Sequence, residues 1–336
     1  MNRGRVTAIV SAFVLAGAAC TGTGDGADTP GLPTSTSSSD SSTATSSVAT
    51  TPSTTTTIGI TTTTTSALPA LGLVTATGVP VAVIDEHPGG HLVLTPCGFE
   101  TEIESGSPLG PISVVLDPGH GGPTDTGAMG ANGLAEKEVN LRVAKKTMEA
   151  LADRGIVAVL TRTHDYTSPL SVRANLADAL RADLMVSIHH NAPTPGPSQL
   201  PGVEIFVQSE SEESSRLGGL LWEHTSAALG VFDVSWAAAP DAGVMTVLNS
   251  RGDDAYGIIR HPETTTALVE LGYISNPAEA ELFAQPEYVS VAAIAMADAI
   301  EDYLETNDSG SGFVEGRVFN PSPGVGQDAC TDPDLE

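Results

Sequence analysis

Four residues of this chain combine the types and spacing that hydrolytic chemistry needs. His120 follows a short apolar run, residues 112–116, within the Gly-rich string Asp117-Pro118-Gly119-His120-Gly121-Gly122. Glu136 opens a stretch of helical periodicity, and His189 closes a second apolar run, residues 184–188. Glu270 stands inside a third, Ala267-Leu268-Val269-Glu270-Leu271. Two imidazoles and one carboxylate are a donor set that suits Zn²⁺ while leaving a fourth position for water. A bound water of lowered pKa then calls for a second carboxylate to take and return a proton. Glu270 fits that need, because a charge among apolar neighbours is costly unless paired or functional. Each residue also has a plain reading: Glu136 as an acid favoured at a helix start, His120 as a turn residue, His189 as a hydrogen-bonded core histidine.

The other titratable candidates are weaker. Successive strand residues face opposite ways, so His190 cannot share a metal with His189 and is expected to pack or to support it. Glu138 falls about 200° around a helix from Glu136 and points elsewhere. His87 and His91 flank a turn with no Cys or acid at ligand spacing and read as surface residues. His164, His224 and His261 have no partner pattern. Arg173 could touch substrate, though pairing with an acid such as Asp165 is the plainer expectation.

The elements that position these residues alternate. After the run at 112–116, a helix is expected over 136–152, with apolar Val139, Leu141, Val143, Ala144, Met148 and Leu151 and a stop at Gly155. Strands follow at 156–160, 184–188, 203–207 and 266–271, and helices at 170–180, 217–229 and 287–304. Ser275-Asn276-Pro277-Ala278-Glu279 supplies a cap, a first-turn Pro and a first-turn acid. The alternation argues an α/β fold around a mostly parallel central sheet flanked by helices. In such sheets ligands bind beyond the carboxyl ends of the strands, where His120 and His189 fall. Residues 72–100 form turn signals between β-branched runs, a small N-terminal β-hairpin region.

Composition limits where the chain works and what it binds. Of 336 residues only 16% are charged, acids outnumber bases 41 to 14, and the formal charge is −27. Only Lys137, Lys145 and Lys146 are lysines, so nucleic acid, which requires a basic surface, is excluded as a ligand. Residues 34–66 hold 25 Ser or Thr in 33 positions and no aromatic. Such a segment cannot bury enough apolar surface to fold, and residues 21–69 are expected to be a disordered tether.

Arg3 and Arg5 precede a 14-residue apolar run ending in Leu15-Ala16-Gly17-Ala18-Ala19-Cys20. This is the layout of an export signal over residues 1–20, and its end resembles the lipobox of bacterial lipoproteins. The resemblance implies lipidation of Cys20 and attachment to a membrane; plain cleavage near Ala18 or Ala19 would release the protein instead. Either outcome is extracytoplasmic. With Cys20 lipidated, Cys97 and Cys330 remain in an oxidising compartment and are expected to pair, tying a C-terminal tail, 307–336, to the β region, 70–110.

The ordered strings Val115-Leu116-Asp117-Pro118-Gly119-His120-Gly121-Gly122, Glu136-Lys137-Glu138-Val139-Asn140-Leu141, Ser187-Ile188-His189-His190-Asn191-Ala192 and Leu268-Val269-Glu270-Leu271-Gly272-Tyr273-Ile274-Ser275-Asn276 resemble the zinc-dependent N-acetylmuramoyl-L-alanine amidase family of bacterial cell-wall hydrolases. Leu160-Thr161-Arg162 and Arg173-Ala174-Asn175 also fit that pattern, and the likeness covers about residues 112–304. It implies a catalytic domain over 111–306, His120, Glu136 and His189 as metal ligands, Glu270 as catalytic acid and base, Zn²⁺ as cofactor and peptidoglycan as substrate. Residues 243–263, around Arg251-Gly252-Asp253-Asp254, then read as a rim loop touching glycan or stem peptide. Two other readings stay open: an exported zinc peptidase acting within the stem peptide, and a non-catalytic wall-binding protein on the same fold.

Overall fold

The computed structural model describes residues 70–193, 196–238, 242–321 and 324–336. The expected export signal, lipidation at Cys20 and Ser/Thr tether lie outside these residues. Folding begins with five strands, β1 (Gly72–Val74), β2 (Pro80–His87), β3 (Gly90–Leu94), β4 (Glu100–Ile103) and β5 (Ser107–Pro108). The expected hairpin is β2–β3, but it belongs to a five-stranded antiparallel sheet in the order β4-β3-β2-β1-β5. A lone two-stranded hairpin is marginal in water, and the added strands give it a buried face of Leu73, Val79, Val81, Val93 and Ile103. His87 pairs with Glu102 at 2.7 Å on its surface.

Next come β6 (Val114–Pro118), α1 (Glu136–Asp153), β7 (Ala158–Leu160), α2 (Leu170–Leu180) and β8 (Leu184–Asn191). They are followed by the short β9 (Gly196–Pro197), β10 (Glu204–Val207), α3 (Glu212–Leu229) and the short β11 (Ala237–Ala238). The chain continues through β12 (Gly243–Met245), β13 (Val247–Leu248), α4 (Gly257–Arg260), β14 (Thr266–Tyr273), α5 (Pro277–Phe283), α6 (Pro286–Glu305) and β15 (Arg317–Val318).

The central sheet has the order β12-β10-β14-β8-β6-β7. From β7 to β14 the strands run parallel; β10 turns antiparallel to β14, and β12 runs parallel to β10. The parallel expectation therefore holds on one side of the sheet only. Among the described residues the link from β8 to β10 contains no helix, and a parallel strand requires a crossover of that kind. β6 and β14 are buried along their whole lengths, as strands covered on both faces must be. One face packs Val114, Leu116, Val186, Ile188 and Val269 against α1, α3 and α6; the other packs Val115, Met185, Phe206 and Leu268 against α2 and α4.

Local signals account for the helix ends that matter. In α1, Val139, Val143, Ala144, Ala150 and Leu151 fall on one buried stripe, with Glu136 at its start. Asn276 caps α5 by accepting from the N–H of Ala278, with Pro277 in the first turn. Residues 243–263, expected as loop, instead contain β12, β13 and α4. The C-terminal tail follows the outer edge of β12, where the Val244 N–H donates to Gly312 O at 2.6 Å and the Val314 N–H to Val244 O at 3.0 Å. It thereby covers an edge that would otherwise be open to strand addition. The tail then reaches the N-terminal sheet, where Cys330 and Cys97 form a disulfide with a sequence separation of 233. Among the described residues no helix is long and apolar enough to cross a membrane.

Candidate metal centre

His120, Glu136 and His189 converge at the carboxyl edge of the central sheet, with one potential ligand atom from each lying within 4.8 Å of the others. His120 Nε2 is 3.1 Å from Glu136 Oε1, and His189 Nδ1 is 2.9 Å from the same oxygen. Donors each about 2.0–2.2 Å from a tetrahedral ion stand roughly 3.4 Å apart, so the cluster has nearly the dimensions that a small divalent cation requires. Its electrostatics agree. Burial opposes a charge on His120, yet the carboxylates of Asp125 and Glu136 outweigh it and hold the imidazole up to about 10. Burial likewise opposes the Glu136 carboxylate, and the two imidazoles overcome it, holding the acid well below its usual range. The centre is built to hold positive charge between its side chains.

Each element contributes for a definable reason. His120 sits just past β6 at φ +62°, in the left-handed region that a non-glycine residue enters only when its surroundings impose it. Arg162 and Arg173 impose it here. Arg162 donates to the carbonyls of Pro118, Gly119 and Lys137 at 2.7–3.0 Å, and Arg173 to those of Pro118, His120 and Ser168 at 2.8–2.9 Å. Arg173 also pairs with the buried Asp117 at 3.0 Å. Burial disfavours that carboxylate, but Arg173, Thr161 and Ser187 hold its pKa below the usual value. The expected partner of Arg173, Asp165, instead takes Lys137 Nζ at 2.7 Å. Arg173 is thus bound up in positioning the loop rather than offered to a ligand.

Two glycines are fixed by the same centre. A Cβ on Gly119 would lie 2.0 Å from His189 Nε2, and one on Gly127 would lie 2.6 Å from both Glu136 Oε2 and His120 Cδ2.

Glu136 is oriented from several sides. The Ala128 N–H donates to its Oε2 at 2.8 Å, and Asn140 Nδ2 and the His190 N–H each donate to its Oε1 at 3.3 Å. His190 faces away from the cluster as the strand alternation requires. Its Nδ1–H donates to Asn140 Oδ1 and its Nε2 accepts from the Tyr288 hydroxyl, both at 2.7 Å. Glu138 is exposed on the outer side of α1. Of the remaining histidines, His224 pairs with Asp302 at 2.9 Å and His164 lies edge-on to Tyr166, away from the cluster.

Glu270 comes from β14 and sits in register with His189 of β8 on one side and Glu204 of β10 on the other. It is 8% exposed, and its Oε2 is buried with no hydrogen-bond partner among the described residues. Burial, with the nearby charges of Glu136 and Glu204, pushes its pKa well above the ordinary carboxylate range. A buried polar atom left unsatisfied is costly. The charges of Glu136 and His120 act on this carboxylate, which places it beside the donor cluster.

Several residues at the site were not singled out from sequence. Asp125 accepts from His120 Nδ1 at 2.6 Å, the arrangement that fixes the tautomer of a metal-binding imidazole; its signal was its place in the same Gly-rich loop. Asn191 Nδ2 donates to Glu204 Oε2 at 2.6 Å, and Arg317 Nη2 to Glu204 Oε1 at 2.6 Å. No local pattern links residue 317 to residue 204.

Residues 114–302 match the model of a family described as N-acetylmuramoyl-L-alanine amidase. The chain belongs to that family. It is 34% identical over 219 residues to the uncharacterised protein YqiI of Bacillus subtilis, covering 65% of this chain and 94% of YqiI. It is 34% identical over 194 residues to the N-acetylmuramoyl-L-alanine amidase LytC of the same organism, covering 57% of this chain but only 35% of LytC. The crystal structure of an N-acetylmuramoyl-L-alanine amidase from Clostridium difficile 630 superposes with a TM-score of 0.50 at 26% identity, over 58% of this chain and 98% of that one. The family match contains His120, Glu136, His189 and Glu270 and ends before the tail that carries Arg317.

Proposed function

We propose that this chain hydrolyses the amide joining the lactyl group of N-acetylmuramic acid to L-alanine in peptidoglycan, releasing stem peptides from the glycan. The observation that carries this reading is the His120–Glu136–His189 cluster, whose ligand atoms lie within 4.8 Å of one another, with the buried Glu270 on the adjoining strand. Membership of the amidase family supplies the reaction class.

The residues fit Zn²⁺: two imidazoles and one carboxylate, with His120 held by Asp125 and Glu136 by the Ala128 N–H and Asn140. When bound, the ion would supply Lewis acidity to the scissile carbonyl and lower the pKa of a water. Glu270 acts as base and then acid. Its carboxylate takes a proton from the attacking water and returns it to the leaving nitrogen of L-alanine, so that the amine departs neutral. Burial and the carboxylates of Glu136 and Glu204 raise its pKa, which favours the proton-carrying form that it adopts during turnover. Asp125 keeps His120 in the tautomer that presents Nε2, while Arg162 and Arg173 hold the loop that carries it.

The sequence of residues 1–69 supports work outside the cytoplasm, with Cys20 as lipid anchor and the Ser/Thr segment as tether. A tethered enzyme searches the wall at a local concentration set by the tether rather than by expression level.

The test is mass spectrometry of digested peptidoglycan together with metal analysis of two variants. The expected products are intact glycan strands and peptides with a free L-alanine amino group. His120→Ala should lose both metal and activity, whereas Glu270→Ala should keep stoichiometric zinc and lose about 10²–10⁴ in kcat. Cleavage within the stem peptide would instead indicate a peptidase, and undiminished turnover by Glu270→Ala would remove the acid/base assignment.

A further inference from the structure

We infer that Glu279, in the first turn of α5, is a positioning residue for the amide hydrolysis: its carboxylate braces the bulge that ends β14 and so sets the direction of Glu270. This rests on the amidase reading of the site, which gives Glu279 no part in the chemistry itself.

A first-turn acid ordinarily faces solvent, where it complements the helix dipole. Glu279 is instead fully buried and turns back onto the chain that precedes α5. Its Oε2 accepts from the Tyr273 N–H at 2.7 Å, and its Oε1 accepts from the Ala237 N–H at 2.5 Å and from Asn276 Nδ2 at 3.0 Å. One carboxylate thereby ties together the end of β14, the cap of α5 and β11, which pairs with β9 in the segment that follows β8. Burying an ion is costly, and the three donors offset that cost. An apolar side chain in its place would take this acceptor from two buried backbone N–H groups.

The brace falls where β14 loses step with its neighbour. Glu270 stands opposite His189 and the next pairing is Tyr273 opposite Asn191, so Leu271 and Gly272 share the place of His190 alone. Two residues against one make a bulge, which bends the strand and re-aims the side chains beside it. Gly272 has φ +154°, a conformation that residues with a Cβ rarely adopt. A Cβ there would also lie 2.6 Å from Glu279 Oε2 and 2.9 Å from Phe283 Cζ. The carboxylate fills the space beside the bulge, and its bond to Tyr273 fixes the first paired residue beyond it.

Glu270 depends on its strand more than the cluster residues do. His120 is held by Asp125, and Glu136 by the Ala128 N–H and Asn140. Glu270 Oε2 has no hydrogen-bond partner among the described residues, so the course of the backbone decides where that oxygen lies. Upstream, the ladders to β8 and β10 hold the strand as far as Glu270; downstream, Glu279 does. The cluster itself comes from α1, β8 and the loop after β6 and takes nothing from β14 or α5. Loosening the brace should therefore shift the acid and base relative to the cluster and leave the cluster intact.

The test uses the full zinc-loaded chain and a muramoyl-L-alanyl peptide. Burial raises the Glu279 pKa to about 7 against the pull of the Tyr273 and Ala237 N–H groups and Asn276, so the assay is run about one pH unit above that value, where the carboxylate is ionised. Glu279→Gln, which sets an NH₂ against an N–H donor, should lose about 10–100-fold in kcat. Its KM, and its zinc affinity by chelator competition, should stay within about threefold of wild type. Amide exchange at Tyr273 or Ala237 should quicken. Glu279→Asp keeps the charge but draws it back by one methylene; it should lose kcat in the same selective way, and it alone is read if the Gln variant does not fold. Undiminished kcat in the folded variant overturns the proposal. So does a joint failure of kcat, KM and zinc affinity, which would mark a general loosening of the fold. A wild type that leaves the muramoyl amide uncleaved sinks the amidase reading, and this inference with it.

Discussion

At the scale of single residues, the site holds two buried glutamates whose surroundings act on them in opposite directions. Two imidazoles pull the pKa of Glu136 down, while burial and neighbouring carboxylates push that of Glu270 up. Divergent environments of this kind mark distinct roles. Asp125 belongs with Glu136. Its 2.6 Å contact to His120 Nδ1 orients the ring and strengthens its other nitrogen as a donor, and such outer partners are typically worth about 10–100-fold in metal affinity. Asp125→Ala should therefore weaken zinc binding by about that factor, measured by chelator competition, while kcat at saturating zinc stays within severalfold of wild type. An unchanged affinity would show that the backbone strain at His120, held by Arg162 and Arg173, suffices to orient the ring.

At the scale of elements, much of the fold was legible because the signals are local. The apolar runs at 184–188 and 266–271, the stripe on α1 and the Asn276-Pro277 start of α5 each require only a few adjacent residues, and His120, Glu136, His189 and Glu270 could be located from them. What was not legible depends on pairing across the chain. β12 is only three residues, Gly243–Met245, and becomes a strand by lying between β10 and the tail. Arg173 was paired with the wrong acid because Asp117 reaches it only once β6 and α2 have packed. His190 belongs to this scale too, since it joins β8 to α1 through Asn140 and to α6 through Tyr288. Complete burial pulls its pKa down to about 3, against about 6.5 for an exposed imidazole. The unfolded chain takes up this proton first, so the stability contributed by the neutral ring is whole above pH 6.5 and is lost as pH falls toward 3. The loss is about 1.4 kcal/mol per pH unit. In urea titrations between pH 4.5 and 7.5, His190→Gln should be less stable than wild type at neutral pH and should have a shallower acid slope. Parallel slopes for the two proteins would show that His190 is not the group responsible.

At the scale of the whole molecule, the tail links three things: the open edge of the central sheet, the N-terminal sheet and the rim of the site. Its last segment is anchored by several contacts besides the disulfide. The Cys97 N–H donates to Asp332 Oδ1 at 2.8 Å, Thr77 Oγ1 donates to Asp334 O at 2.6 Å, and Leu335 is buried with Leu73, Val79 and Val81. The Cys97–Cys330 bond acts mainly on the unfolded chain, where closing a loop of 233 residues removes conformational freedom. Such cross-links typically contribute about 2–5 kcal/mol. The double variant Cys97→Ser, Cys330→Ser should therefore fold, keep its zinc and lose stability in that range. Truncation after residue 306 should cost more, because it also exposes the β12 edge and the apolar cluster around Leu335. Urea unfolding midpoints of the three proteins at one pH decide the order. If the serine pair matches wild type, the tail is held by its hydrogen bonds and Leu335 alone, and the cysteines contribute nothing to stability. If the truncated chain is no weaker than the serine pair, the tail's non-covalent contacts stabilise nothing, and the disulfide is its whole contribution to stability.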